Sequence, residues 1–599
     1  MPLIRPRSTA GIALITTLLL LYLWTSSTSS TLSTTPSSSS PPPVWRTPQY
    51  ESYFWTTLPT NYPPKQIRPL PTTSPLKFPK IQAASPSELP EALKTRLQRQ
   101  TAVKDVFSKC WASYKRHAWK ADELAPVSGG QKNPFGGWAA TLVDSLDTLY
   151  LMDMKPEFDE AVAAAASIDF TKTDLDEVNV FETTIRYLGG FLSAYDLSAD
   201  ARLLSKAVEV GEMLYHAFDT PNRMPITRWA IHAAMAGKKQ VAPAGLLVAE
   251  IGSLSMEFTR LSMLTRDPKW FDAVQRITEG MAAQQNATAL PGLWPLVVSA
   301  QDEIYSVGDT FTLGAMADSV YEYLPKMSAL TGGQLPVYRE MYEAAMATAL
   351  KHNLFRPMTP SNQDILVAGT VKADGGVKTT LEPQGQHLVC FLGGLLTLGG
   401  KLFGRQQDLD AARRLVDGCV WTYKALPRGI MPETFFMLPC PSSTCAWDEA
   451  SWKRGVLARA AKDAADKASD DDDADAIISR DRLPKGFTSI PDRRYILRPE
   501  AIESVFVSYR ATAEPSLMES AWDMFTAINA TTSTRLANSA VWDVTRPMGE
   551  DPGMADSMES FWMGETLKYF YLVFAAWDDV SLDEWVFNTE AHPFRRLLP

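Results

Sequence analysis

From about residue 100 onward, apolar residues recur at helical spacing. Phe181, Ile185, Leu188 and Leu192 fall on one face, and so do Leu254, Phe258 and Leu261. That spacing marks helices which bury one stripe against a core. Strand-like alternation is scarce. Gly-rich breaks at Gly189-Gly190, Gly332-Gly333, Gly393-Gly394 and Gly399-Gly400 divide the pattern into segments of ordinary helix length. Stacked helical pairs are predicted, and without a sharp sequence repeat a closed array is favoured over an open solenoid. One helix start is legible in detail. In Arg498-Pro499-Glu500-Ala501-Ile502-Glu503-Ser504-Val505-Phe506, Pro499 suits a first helical turn, and Ile502, Val505, Phe506 and Tyr509 form the buried stripe. Glu500 then lies in the first turn, where the helix dipole favours a carboxylate.

The ends and interruptions read differently. Arg5 and Arg7 precede an apolar run from Gly11 to Trp24. The run predicts a signal anchor at 11–24 with residues 1–10 in the cytosol; a cleaved signal peptide is the alternative. Residues 25–95 are rich in Ser, Thr and Pro and are expected to form a flexible stem. Residues 96–599 then form the globular part. Within it, residues 456–485 contain Asp470 to Asp473 and Asp475 and read as a disordered, solvated insertion.

The 599 residues exceed one ordinary domain unless they build a single large helical barrel. A net charge of −10 with no basic stripe argues against nucleic-acid binding. Five cysteines, Cys110, Cys390, Cys419, Cys440 and Cys445, form no CxxC pair, which argues against a zinc site.

Several acids sit inside otherwise apolar helical segments. Taken singly, Glu182 reads as an ion-pair partner of Arg186, and Asp318, Asp144 and Asp147 as helix caps. Glu559 and Glu565 flank Phe561 and Trp562. Taken together, acids from distant segments near aromatics, with no nucleophilic Ser or Cys motif, suit acid/base hydrolysis of a sugar bond. One carboxyl protonates the leaving oxygen, and another activates water or attacks carbon.

The ordered motifs carry a resemblance. They are Trp138-Ala139-Ala140-Thr141-Leu142-Val143-Asp144-Ser145-Leu146-Asp147, Phe181-Glu182-Thr183-Thr184-Ile185-Arg186, His387-Leu388-Val389-Cys390-Phe391, Leu497-Arg498-Pro499-Glu500, Met558-Glu559-Ser560-Phe561, Glu565-Thr566-Leu567-Lys568-Tyr569 and Phe587-Asn588-Thr589-Glu590-Ala591-His592-Pro593. The chain resembles the class I α-mannosidases, glycoside hydrolase family 47, from about Phe107 to Pro593. The resemblance implies an all-α fold, an (αα)7 barrel closed by a C-terminal plug hairpin. It implies calcium-dependent, inverting removal of terminal α-1,2-linked mannose from high-mannose N-glycans on glycoproteins.

By motif match, Glu182 resembles the family's acid, Glu500 its base and Asp318 its third essential carboxylate. Thr589 matches the calcium-holding residue. Asp144, His387, Arg498, Glu503, Phe561, Glu565 and Glu590 match residues lining the mannose pocket. Inversion would place acid and base carboxyls roughly 6.5–9.5 Å apart, leaving room for a water. Cys390 and Cys419 match the family's disulfide, worth about 3–4 kcal/mol on the chain-entropy model. Cys440 and Cys445 are candidates for a second bridge, leaving Cys110 as the odd thiol. Met316 stands where many endoplasmic-reticulum members carry Arg, which implies trimming of several branches. A monomer anchored in the Golgi or endoplasmic-reticulum membrane, catalytic part lumenal, is expected. Two rival readings are a degradation-enhancing mannosidase-like protein that marks or binds misfolded glycoproteins, and an all-helical scaffold.

Overall fold

A computed structural model describes residues 53–375, 378–442, 445–463 and 473–599. The expected cytosolic tail, signal anchor and first part of the stem lie outside these residues, as do Asp470, Asp471 and Asp472. Among the described residues, no helix is long and apolar enough to cross a membrane.

Fourteen helices among the described residues build two concentric rings. In chain order they are α1 (Pro90–His117), α2 (Leu146–Leu151), α3 (Lys155–Ala165), α4 (Gly189–Ser198), α5 (Ala201–Tyr215), α6 (Ser255–Thr265), α7 (Lys269–Gln284), α8 (Asp318–Leu330), α9 (Pro336–His352), α10 (Phe391–Phe403), α11 (Gln406–Ala425), α12 (Glu500–Thr512), α13 (Pro515–Thr532) and α14 (Leu567–Val573). Each even-numbered helix packs on the next odd-numbered one, and α14 packs on α1. The even-numbered helices also touch in succession, and the turn leading into α14 returns to α2. Seven helical hairpins therefore close an (αα)7 barrel, as the resemblance implied.

Burial follows the ring. Outer helix α1 buries one stripe, Val103, Phe107, Cys110, Trp111 and Tyr114, at helical spacing. Inner helix α10 is buried at every position except Lys401, as expected for an element with neighbours on all sides. Three of the four Gly pairs are not breaks. Gly189-Gly190 open α4, and Gly393-Gly394 and Gly399-Gly400 lie inside α10. They let inner elements approach: a Cβ on Gly190 would sit 2.9 Å from the Val143 carbonyl oxygen. Gly332-Gly333 does end a helix, both residues having positive φ.

The far end of the barrel is closed from inside. β1 (Trp585–Phe587) pairs antiparallel with β2 (Pro593–Arg595), Val586 facing Phe594. The hairpin packs on α8 and α4. Its turn projects into the ring with Asn588, Glu590, Ala591 and His592 all buried.

Two expectations about irregular regions need correction. The stem does not extend to residue 95. Trp55, Ile81 and Gln82 are buried, and residues 53–89 bond to the barrel at several points. The polar, Pro-rich composition hid these sparse anchors. The Asp-rich insertion is largely helical where described, over Glu449–Asp463 and Ala474–Asp481, with Trp452, Val456 and Ile477 buried. Both bridges form, Cys390–Cys419 from the turn just before α10 to α11, and Cys440–Cys445; Cys110 is free and buried.

Candidate active site

A cavity of about 390 Å³ opens at the end of the barrel where inner helices begin. Nine carboxylates and three guanidinium groups line it. That excess of negative charge is the central electrostatic fact of the site, because each carboxyl without its own cationic or hydrogen-bonding partner is driven toward its neutral form.

Glu500 is the first residue of α12. Burial pushes its carboxyl up, but the hydrogen bond from His387 and the charge of Arg498 outweigh it and hold it below the ordinary value. His387 Nδ1 lies 2.8 Å from Glu500 Oε2, and its Nε2 lies 2.7 Å from the Tyr423 hydroxyl. An ionised carboxylate only accepts, so Nδ1 carries the proton in that pair. Arg498 Nη1 donates to Glu500 Oε1 at 3.4 Å and Nε to Glu433 Oε2 at 2.5 Å. A small sheet of Gln384–Gln386, Thr434–Met437 and Phe487–Asp492 brings these segments together.

Asp318 is the first residue of α8. It accepts from the Ser319 amide at 2.8 Å. Burial pushes its carboxyl up to about 7, with Glu322 and Glu500 adding to the rise.

Glu182 ends a short helical turn, Val180–Glu182, and its own amide donates to the Asn179 side chain that caps the turn. The chain then widens into a π-helical turn, Thr183–Leu188. A second π-helical turn, Trp562–Thr566, carries Glu565. Such turns insert an extra residue per turn and re-aim side chains, often at functional sites. Here both turns contribute to the same cavity, through Ile185, Arg186 and Glu565. Arg186 Nε donates to Glu182 Oε2 at 3.0 Å, and Nη1 donates to Ser560 Oγ at 3.0 Å, to Asp144 at 3.4 Å and to Glu590. Its guanidinium carbon lies 4.7 Å from the Phe135 ring centre and 5.8 Å from that of Phe561.

The floor is made by the plug turn and α12. Thr589 lines the cavity, and its amide donates to the Tyr323 hydroxyl at 3.3 Å. Lys326 donates to Glu322, to Glu503 at 3.3 Å and to the Asn588 carbonyl at 3.4 Å. Burial raises Glu503, Glu565 and Glu590, with neighbouring carboxylates contributing. Lys326 opposes the rise at Glu503, and Arg186 opposes it at Glu565 and Glu590.

Most motif-matched residues converge. Glu182, Asp318, Glu500, Arg498, Glu503, Phe561, Glu565, Thr589 and Glu590 all line the cavity. Asp144 and His387 do not: both are fully buried one layer behind it, Asp144 under Arg186 and His592, and His387 behind Glu500. They position groups on the wall instead of forming it. Sequence reasoning also passed over Glu322, which follows Asp318 by one helical turn and could have been found by that spacing. It missed Arg228, which reaches the cavity only because its strand pairs with Asn179 and so left no local signal.

Among the described residues, no group of three His, Cys, Asp or Glu side chains forms a direct metal-ligand set. The chemistry of the floor nevertheless fits a hard divalent cation. Thr589 offers hydroxyl and carbonyl oxygens in a cavity lined by carboxylates, and calcium accepts oxygen donors of all these kinds.

Comparison with known proteins agrees with this geometry. The sequence profile described as glycosyl hydrolase family 47 matches residues 106–596. The endoplasmic reticulum mannosyl-oligosaccharide 1,2-alpha-mannosidase of Homo sapiens is 34% identical over 504 residues, covering 83% of this chain and 64% of the relative. A probable mannosyl-oligosaccharide alpha-1,2-mannosidase 1B of Aspergillus clavatus is 34% identical over 546 residues, covering 86% of this chain and 97% of the relative. The solved alpha-1,2-mannosidase from Trichoderma reesei superposes with a TM-score of 0.71 at 30% identity, covering 83% of this chain and 99% of its own.

Proposed function

The chain belongs to glycosyl hydrolase family 47, and on that premise we propose that it is a calcium-dependent mannosyl-oligosaccharide 1,2-α-mannosidase. It removes terminal mannose from high-mannose N-glycans by inversion, anchored in the Golgi or endoplasmic-reticulum membrane with the barrel lumenal. One observation supports the chemistry above the rest. Two helix-initial carboxyls in one cavity, Asp318 raised to about 7 and Glu500 held below the ordinary value, are pushed in opposite directions. That contrast leaves Glu500 as the carboxylate able to accept a proton, the state a general base needs.

In this reading Glu500, ionised through His387 and Arg498, takes the proton from the water that attacks the anomeric carbon. Glu182, with Arg186 beside it, delivers a proton toward the leaving oxygen through a bridging water. Phe561 supports the sugar ring, and Arg186 keeps Phe561 and Glu590 in place. Thr589, with the carboxylates around it, would hold calcium. Once bound, the ion would grip vicinal sugar hydroxyls and offset part of the negative charge of the floor.

The test is release of free mannose from a high-mannose glycan, with and without a calcium chelator. Release that stops on chelation and returns on adding calcium is the expected result. Chelator-insensitive release would remove the metal from the reading. Branch selectivity has its own test. Met316 is 52% exposed and lines the cavity beside Asp318. Its side chain donates no hydrogen bond. Met316→Arg is expected to narrow the set of trimmed isomers while cleavage of a simple α-1,2-mannobiose changes less than about twofold. An unchanged isomer pattern would detach Met316 from selectivity.

A further inference from the structure

Residues 53–89 lie outside the stretch matched by the family, 106–596, yet they are built into the barrel. Seven prolines between Pro59 and Pro79 pre-extend this segment, so that ordering it costs less entropy than ordering a free chain. Its anchors follow one course. The Tyr53 hydroxyl donates to the Ser205 carbonyl at 2.9 Å, and Trp55, 1% exposed, packs beside Trp229. The amides of Asn61 and Tyr62 both donate to Asp219 at 2.8 Å. Arg68 joins Asp272 and Glu279 on α7.

The second half of the segment runs beneath the plug. The Leu76 amide donates to the Gly332 carbonyl at 2.8 Å, next to the place where the Leu597 amide donates to Leu330. Phe78 lies under the Arg596 guanidinium, 6.0 Å from its carbon. The Ile81 amide donates to Asp583 at 2.7 Å. The Gln82 side chain donates to the Trp577 carbonyl at 2.9 Å and accepts from the Leu582 amide at 3.0 Å. Asp583, Leu582, Arg596 and Leu597 flank β1 and β2 directly. Both ends of the hairpin that carries Thr589 and Glu590 are therefore tied to this segment.

We propose that residues 53–89 form a strap of the catalytic barrel which fixes the base of the C-terminal hairpin and thereby positions Thr589 and Glu590 on the cavity floor. The strap is a positioning element: no residue named in it lines the cavity. The calcium arm of its test rests on the reading given above, and the exchange arm does not. One consequence concerns release from the membrane. A lumenal form cut before residue 53 keeps the strap, whereas one beginning after residue 89 loses it and the contacts beneath the plug.

The test uses the full-length chain carrying either Gln82→Ala or the double change Phe78→Ala with Ile81→Ala. Gln82→Ala removes two hydrogen bonds and little volume, so it serves if the double variant fails to fold. Trp55→Ala is the control at the other end of the strap. Hydrogen exchange of the 582–597 peptide and calcium binding by calorimetry, well below the melting temperature, are measured on each. The double variant is expected to exchange the hairpin amides about tenfold faster, and Gln82→Ala to shift them in the same direction by less. Calcium should bind several-fold more weakly to both, while Trp55→Ala should speed exchange only near residue 55. Unchanged hairpin exchange in the strap variants overturns the proposal. Faster exchange with unaltered calcium affinity also overturns it, reducing the strap to a stabilising element. Faster exchange in a protein whose wild type binds no calcium leaves the strap standing and removes the metal reading.

Discussion

Asp318 and Glu500 occupy the same local position in two inner helices, the first residue of α8 and of α12. A helix N-terminus favours the ionised form of both by a similar small amount. Their protonation nevertheless diverges. Asp318 has one backbone donor and faces Glu322 and Glu500, so burial wins and its carboxyl rises to about 7. Glu500 is also buried, but His387 and Arg498 donate to it and burial loses. Helix-end electrostatics thus set a shared baseline, and the second layer of side chains decides which carboxyl holds its proton more tightly.

Three changes probe that contrast. The largest effect is expected from Glu500→Gln, which keeps the shape and removes the base: kcat should fall by about a thousandfold with glycan binding retained. A loss below tenfold would give the role of base to another carboxylate. His387→Ala should make Glu500 behave more like Asp318. Its carboxyl rises, and the acid limb of kcat/KM moves up by about one pH unit. A steady limb would mean that Arg498 alone keeps Glu500 ionised.

The smallest effect concerns stability in chelator. Asp318 titrates at about 7 in the folded protein and near the ordinary carboxylate value when unfolded. Between those values the native state holds a proton that the unfolded state has lost, so stability falls as pH rises through this window. Asp318→Asn cannot ionise. Its Tm relative to wild type should therefore climb from pH 5 to pH 8, by about 2 °C. A constant difference would show that Asp318 is ionised throughout.

Much of this was legible in the chain. Helical periodicity anticipated a closed helical array, and the resemblance carried by the ordered motifs implied the (αα)7 barrel, its plug and a shared site for Glu182, Asp318, Glu500 and Thr589. Spacing within one helix also contained Glu322. Other features were not legible because they depend on which surfaces meet. A Gly pair reads alike as a helix break or as a close-packing site, and only the Val143 carbonyl against Gly190 decides it. Motif adjacency placed Asp144 and His387 near the site but could not tell wall from backing layer. Sparse anchors such as Trp55 and Ile81 were masked by the polar composition around them.

Sequence by itself determined what is local: where helices start, which faces are apolar, and which residue types are available for acid/base chemistry. Those follow from backbone propensity and the 3.6-residue period, which act over a few residues. Tertiary structure alone decided the opposite shifts of Asp318 and Glu500, the π-helical turns that aim Arg186 and Glu565, and the segment packed under the plug. Each depends on groups hundreds of residues apart, as His592 is from Asp147 and Ile81 from Asp583. Burial and electrostatic partnership act through space, so they exist only once the barrel has closed.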